Sequence, residues 1–311
     1  KEYRSKVVDY MIDGYKAGLT PNPDIMCNQE VKFKLFLQAA LDDGADMIAT
    51  GHYARIKHGD STAPRHPELD SGPSKYKESL VLGSGSQSGM TGAQLLTGID
   101  GNKDQSYFLY RVTEDALRHS LMPIGEYQKP QVRELAKKFG LATAEKKDSQ
   151  GICFVGKVGI KEFLQQFVTT EPGAIIDQHN TVIGEHDGAL FYTIGQRQGL
   201  HVGGGLPYYV VGKSMDKNEV YVTTDLQDAR LWANELTLTA GHWINDEPNP
   251  NGSYMVRTRY RADLLNIASL HKLDNGNWHM VLRDEVRALT PGQSAVIYEG
   301  DRVVGGGIVV G

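Results

Sequence analysis

From about Leu206 to the end of the chain, short β-branched and aromatic runs follow one another: YYVVGK, EVYVT, ELTLTA, YMVRTRY, NWHMVLR, SAVIYE and VVGGGIVV. Turn signals such as Asp274-Asn275-Gly276-Asn277 and Glu299-Gly300-Asp301 separate them. Runs of this length bounded by Asn, Asp and Gly read as strands, and many short strands in succession bury one face only by closing on each other. An all-β module, a small barrel, is therefore expected over 206–311. The first part of the chain has a different period. In VKFKLFLQAALDD, residues 31–43, Phe33, Phe36, Leu37 and Leu41 recur at helical spacing, and Gly44 stands where a C-terminal cap belongs. The apolar run ADMIAT, 45–50, then ends at Gly51-His52. A buried parallel strand delivers a loop to the carboxyl edge of an α/β sheet in this way, and ligands favour that edge.

Two more helices are expected. One has Pro130 in its first turn, Val132, Leu135, Ala136 and Phe139 on one face, and Gly140 at its end. The other spans 158–168, with Ile160, Phe163, Leu164 and Phe167 as a core-packing stripe. Residues 58–79 are polar with three prolines and read as an exposed loop.

With 311 residues, the chain is about twice the ~150 usually allotted to one domain. Hydrophobic residues at 40% and charged residues at 23% supply packed cores and exclude a disordered tail protein. No stretch approaches the ~18 apolar residues of a membrane span, and the start KEYRSKVVDY lacks a signal-peptide core. A cytosolic or organelle-matrix location is expected. The net charge of −5 argues against a generally basic nucleic-acid coat. One local patch runs the other way: eight basic residues against three acids between Lys129 and Lys161, either a solvated helix face or a phosphate-binding surface.

The two cysteines, Cys27 and Cys153, are too far apart for a zinc knuckle and too few for a disulfide scaffold. They are buried spectators or working thiols. Cys27 ends Pro21-Asn22-Pro23-Asp24-Ile25-Met26-Cys27, where the prolines stiffen a turn ahead of a helix and Asp24 shares the neighbourhood. A helix N-terminus would lower the thiol pKa, while plain burial would leave Cys27 inert. Cys153 sits in KKDSQGICF, with two lysines favouring a thiolate and Ile152 and Phe154 favouring burial. Asn102-Lys103-Asp104-Gln105 suits either RNA contact or a turn.

Taken together, PNPDIMCNQEVKF, ATGHYAR, NKDQSYFLY, KKDSQGICF, YTIGQRQGL, TRYR and TPGQSAVIY occur in an order that resembles the tRNA-specific 2-thiouridylases. The resemblance covers nearly the whole chain from Thr20. It implies an α/β domain of the adenine nucleotide α-hydrolase-like, ATP-pyrophosphatase type over 1–140, incomplete here. A small central domain over 141–205 and the β-barrel over 206–311 would follow. The implied activity is ATP-dependent sulfur transfer to the wobble uridine of tRNA, with Mg2+ accompanying ATP and a cysteine desulfurase or sulfur-relay protein as persulfide donor. The implied state is a monomer without membrane contact.

Residue by residue, the resemblance makes Cys27 the nucleophile, Cys153 the persulfide carrier and Asp24 the acid or base beside the target base. Asn22, Pro23 and Asp24 become the target-base segment and Gly51 an ATP contact. His52, Lys103, Asp104, Gln105, Arg259, Tyr260 and Gln293 become tRNA contacts. Arg257, Arg259 and Arg261 alternate as they would on one strand face. The family's Ser-Gly-Gly-x-Asp-Ser phosphate loop is not found in this sequence, and the 58–79 loop is longer than the family usually shows. The chain starts at Lys1 rather than Met, so it is expected to lack upstream strands and, as it stands, to be inactive with ATP. Two competing readings are a non-catalytic tRNA-binding protein with structural thiols and a thiol redox enzyme. Both thiols within full motifs argue against the first, and the absence of Cys-x-x-Cys argues against the second.

Overall fold

The computed structural model describes residues 2–59, 92–145, 159–203 and 205–310. The 58–79 loop falls almost wholly outside them, as does Cys153 with its flanking lysines.

The first part holds helices α1 (Asp9–Lys16), α2 (Pro23–Met26) and α3 (Leu37–Asp42) and strands β1 (Ile48–Ala49), β2 (Ala54–Lys57) and β3 (Gln94–Thr97). Helix α4 (Glu114–Arg118), strand β4 (Ser120–Leu121) and helix α5 (Lys129–Lys138) complete it. Wide π-type turns over Cys27–Phe36 join α2 to α3, so the helix starts well before the expected residue 31. Phe33 and Leu37 are buried, but Phe36 is 56% exposed and does not belong to the inward stripe. β1 pairs with β4 in parallel, as the Gly51-His52 ending implied.

The middle part contains helix α6 (Ile160–Leu164) and strands β5 (Gly173–Ile176), β6 (Val182–His186), β7 (Tyr209–Ser214) and β8 (Glu219–Thr223), ordered β6-β5-β8-β7. The runs YYVVGK and EVYVT therefore belong to this sheet and not to the C-terminal barrel with which their texture groups them. Their valines pack against Ile175, Ala189 and Tyr192. Strand texture reports a strand, but not which sheet receives it. Phe163 and Leu164 of α6 share a core with Val8, Met11, Ile12 and Tyr15.

The C-terminal part is a closed barrel of β9 (Trp232–Trp243), β10 (Met255–Arg257), β11 (Leu265–Lys272), β12 (Trp278–Arg287), β13 (Ser294–Glu299) and β14 (Arg302–Val310). The order β13-β10-β11-β12-β9-β14 is closed by β13–β14 pairing. β13 explains its own sequence. Ala295 and Ile297 enter the barrel core, while the alternate residues Val296 and Tyr298 enter the core of the α/β part with Leu95, Tyr107 and Tyr110. A strand covered on both faces reads as a continuous apolar run, which is SAVIYE. The barrel is thus a wall of the α/β core.

Candidate active site

The segment that carries Asp24 and Cys27 is built by capping. Asn22 has extended backbone and its Oδ1 accepts the Asp24 N–H at 3.1 Å, with Pro23 in the first helical position. The cap is Asn22 and not Asp24, which lies half-buried in the first turn. Cys27 follows the last residue of α2 and is fully buried, at 0% exposure. Of the two settings open to it, it lies past the first turn of the helix and within the core. Next to it, the Asn28 amide donates to the Phe108 carbonyl at 3.1 Å, leaving Asn28 Oδ1 buried and unpaired.

Gly51 lies exposed past the carboxyl end of β1, and a Cβ placed on it would meet nothing within 4 Å. That open edge position fits a backbone contact to a nucleotide. His52 is buried, its Nδ1 2.9 Å from Thr50 Oγ1 and its ring 5.6 Å from that of Phe33 on the Cys27 helix. Burial, reinforced by the nearby charge of Lys32, lowers its pKa to about 3. His52 is thus a neutral imidazole near neutral pH and can meet RNA by hydrogen bonding or packing, not as a counter-charge to phosphate.

The 103–105 triplet divides by direction. Lys103 is half-buried. Asp104, expected at an RNA surface, is 4% exposed and turned inward. Its Oδ1 accepts the N–H groups of Gly98 and Ser106, and its Oδ2 accepts Ser106 Oγ and Arg257 Nη1, the latter at 3.1 Å. Gln105 binds the Tyr53 backbone through both its side chain and its own N–H. Further along, Tyr107 and Tyr110 hydroxyls reach Ser294 of the barrel at 2.8 and 3.1 Å.

The three arginines do not share a strand face. β10 ends at Arg257, which is paired with Asp104, and the chain then turns. Arg259 Nη2 donates to the Ile194 and Ala288 carbonyls and to Thr290 Oγ1. Arg261, with positive φ, reaches the Asn102 carbonyl and lies over the Tyr260 ring. Tyr260 itself is half-buried, its ring 4.4 Å from that of Phe108. Gln293 Nε2 donates to the Thr20 carbonyl at 2.6 Å. Contacts thus join the Asp24–Cys27 helix, the 51–53 loop, the 102–108 segment and the 257–261 turn. Sequence reasoning missed Thr20, Asn28 and Phe108, and took Arg257 for an RNA-facing residue when it pairs with Asp104; only Phe108, beside the polar turn at 102–106, carried a signal of its own.

Lys137 and Lys161 of the basic segment are engaged with Glu145 and Asp187, so part of its charge is neutralised. Among the described residues, no group of three or more His, Cys, Asp or Glu is placed to hold a metal ion. No helix of the described residues is long and apolar enough to cross a membrane.

An α/β part joined through a small sheet to a closed β-barrel is the three-part layout that the family models divide in the same order, the first two of them tRNA-modification domains. A tRNA methyl transferase HUP domain matches residues 1–157, a tRNA methyl transferase PRC-barrel domain residues 161–224, and an aminomethyltransferase beta-barrel domain residues 233–309. The tRNA-specific 2-thiouridylase MnmA of Bacillus subtilis is 41% identical over 312 residues, covering 99% of this chain and 76% of the relative. Those of Lacticaseibacillus paracasei and Listeria monocytogenes are 41% and 40% identical, covering 99% of this chain and 75% and 76% of theirs. The chain belongs to the tRNA-specific 2-thiouridylase family.

Proposed function

We propose that the chain forms 2-thiouridine at the wobble position of tRNA, with Asp24, Cys27 and Cys153 as the working residues. The observation that carries this reading is that the Asn22–Cys27 helix start is fastened to the other motif segments, through Phe33 to His52 and through Asn28 to Phe108. The rigid Asn22-Pro23-Asp24 turn is a suitable wall for a base turned out of the anticodon stack. Beside it, the Phe108 and Tyr260 rings with Arg261 offer a stacking surface for RNA.

ATP as co-substrate, with Mg2+, would supply the adenylyl group that makes the C2 oxygen of uracil able to leave, and Gly51 would touch it. The terminal sulfur of a Cys153 persulfide then attacks C2, and AMP departs with the oxygen. Cys27 as thiolate attacks the Cys153 sulfur. The S–S bond to the base breaks, its electron pair stays on the base sulfur as the thiocarbonyl, and a Cys27–Cys153 disulfide forms. A thiol reductant must reopen that disulfide before the next turnover. Asp24 is placed to hold or move a proton beside the base. The partners under this reading are tRNA and a persulfide donor of the cysteine desulfurase or sulfur-relay class, acting on a monomer in the bacterial cytoplasm.

The test is nucleoside mass spectrometry of tRNA incubated with ATP, a protein persulfide donor and the enzyme supplied with the family's phosphate-loop segment, the 311-residue chain serving as the control expected to be inactive. Sulfur-for-oxygen exchange at the wobble uridine is expected. A methyl group gained instead, in a parallel reaction supplied with S-adenosylmethionine as methyl donor, would support the activity named in the family-model description.

A further inference from the structure

Three parts of the molecule meet at one residue. Thr20, 8% exposed and one position before Pro21-Asn22-Pro23-Asp24, uses its N–H, its carbonyl and its hydroxyl on the other two parts. Its N–H donates to the Pro291 carbonyl of the barrel at 3.0 Å, and its carbonyl accepts Gln293 Nε2 at 2.6 Å. Its Oγ1 lies 3.4 Å from Thr193 Oγ1 in the middle part. Arg259 closes the junction from the far side by tying the Ile194 carbonyl of the middle part to Ala288 and Thr290 of the barrel. The close approach depends on Gly292, at φ +89°: a Cβ there would stand 2.6 Å from Thr20 N and 3.1 Å from its carbonyl carbon. Backbone cannot yield to such a clash as a flexible side chain could.

We propose that Thr20, Arg259 and Gln293 form a clasp that sets the place of Asp24 and Cys27 against the middle part, making Arg259 a positioning residue for sulfur transfer. The proposal rests on the reading of Asp24 and Cys27 as working residues. A guanidinium whose Nη2 serves two carbonyls and a hydroxyl has that end turned into the junction and not out to solvent. Lysine at this position keeps the charge and three donors, but on a flexible stem without the rigid plane that holds Nη2 between the three acceptors.

The clasp is read out on Cys27 itself. In a Cys153→Ser background Cys27 is the sole remaining cysteine. Its labelling by iodoacetamide should accelerate at least about tenfold in Gly292→Ala and in Arg259→Lys, because local opening now reaches it. Leu270→Ala, in the barrel core away from the clasp, serves as the control for general loosening. Compared at the same interval below its own unfolding midpoint, it should leave the rate within about twofold. In the sulfur-transfer assay, both Arg259→Lys and Arg259→Ala should lower kcat about a hundredfold with KM for tRNA unchanged, since a small misplacement suffices. The salt dependence of tRNA affinity should stay as in the parent. A flattened salt slope in Arg259→Ala that Arg259→Lys restores would make Arg259 a phosphate contact and overturn the proposal, as would unaltered Cys27 labelling in Gly292→Ala. Labelling needs neither ATP nor turnover, so it judges the clasp even where the sulfur-transfer reading fails.

Discussion

Gln105 and Tyr53 hold each other through two hydrogen bonds, Tyr53 N–H to Gln105 Oε1 at 3.0 Å and Gln105 N–H to the Tyr53 carbonyl at 2.9 Å. The pair joins two motifs 52 positions apart and locks the loop that buries His52. Gln105→Ala leaves the Tyr53 N–H buried without its partner, a loss of about 1–3 kcal/mol. The larger effect is on the neighbour. His52 should become more hydrated, its pKa rising from about 3 towards 6.5, as read by imidazole resonances during an NMR titration. An unmoved His52 titration would show that the loop is held elsewhere.

His52 also sets a direction for stability against pH. Its folded pKa of about 3 lies below the ordinary 6.5, so at intermediate pH the unfolded chain binds a proton that the folded chain refuses. Stability contributed by the neutral His52 is therefore present above 6.5 and is lost as pH falls towards 3. At about pH 5 the loss from this residue should be of order 2 kcal/mol. His186 and His242 are lowered by burial as well and act in the same sense. Urea unfolding of the parent and of His52→Phe isolates the term: the variant should lose less stability between neutral and acid pH. Parallel profiles would sink the assignment.

Asp104 and Arg257 form a buried pair at 3.1 Å, with side chains 4% and 15% exposed. Arg257 Nε already lacks a partner, so removing the carboxylate strands a buried cation. Asp104→Ala should cost about 3–5 kcal/mol in denaturant unfolding. The Asp104→Ala, Arg257→Met double variant should recover part of that loss. If Asp104 acted mainly as an RNA contact, Asp104→Ala would instead keep the unfolding midpoint and change only tRNA binding.

What was legible in the sequence follows from how local each cause is. The helix caps, the parallel strand ending at Gly51 and the C-terminal strands depend on neighbours in the chain, and residues such as Pro130, Gly44 and Asp274-Asn275-Gly276 announce them. The direction of a charged side chain does not. Arg257, Arg259 and Arg261 look alike in alternation, yet β10 stops at Arg257 and the three reach Asp104, Ile194 and Asn102. The membership of β7 and β8 was equally hidden, because a valine-rich strand fits either sheet and β5 decides the matter from 30 or more residues away. The motif residues could be identified as a set, while the division into those that face a ligand and those that hold the site together required Thr20 and Gly292, which no local pattern marks.

The two thiols are expected to fail differently. Under the proposed order, the Cys153 persulfide attacks C2 first, and Cys27 then releases the base by attacking Cys153. Cys153→Ser should take up no labelled sulfur from a persulfide donor and form no thiouridine. Cys27→Ser should accept sulfur, complete the first attack and stop, leaving tRNA joined to Cys153 through a disulfide. That adduct should survive denaturing electrophoresis and be released by a small-molecule thiol, which does from solution what Cys27 does from its buried position. Both variants should bind tRNA within a few fold of the parent and unfold close to it, because serine differs from cysteine by one atom; a large drop in midpoint for Cys27→Ser would mark its role as packing. Normal turnover in either variant would remove the two-thiol mechanism. Cys27→Ser that takes up sulfur yet yields neither adduct nor product would reverse the order of steps, with Cys27 acting on the persulfide before C2 is attacked.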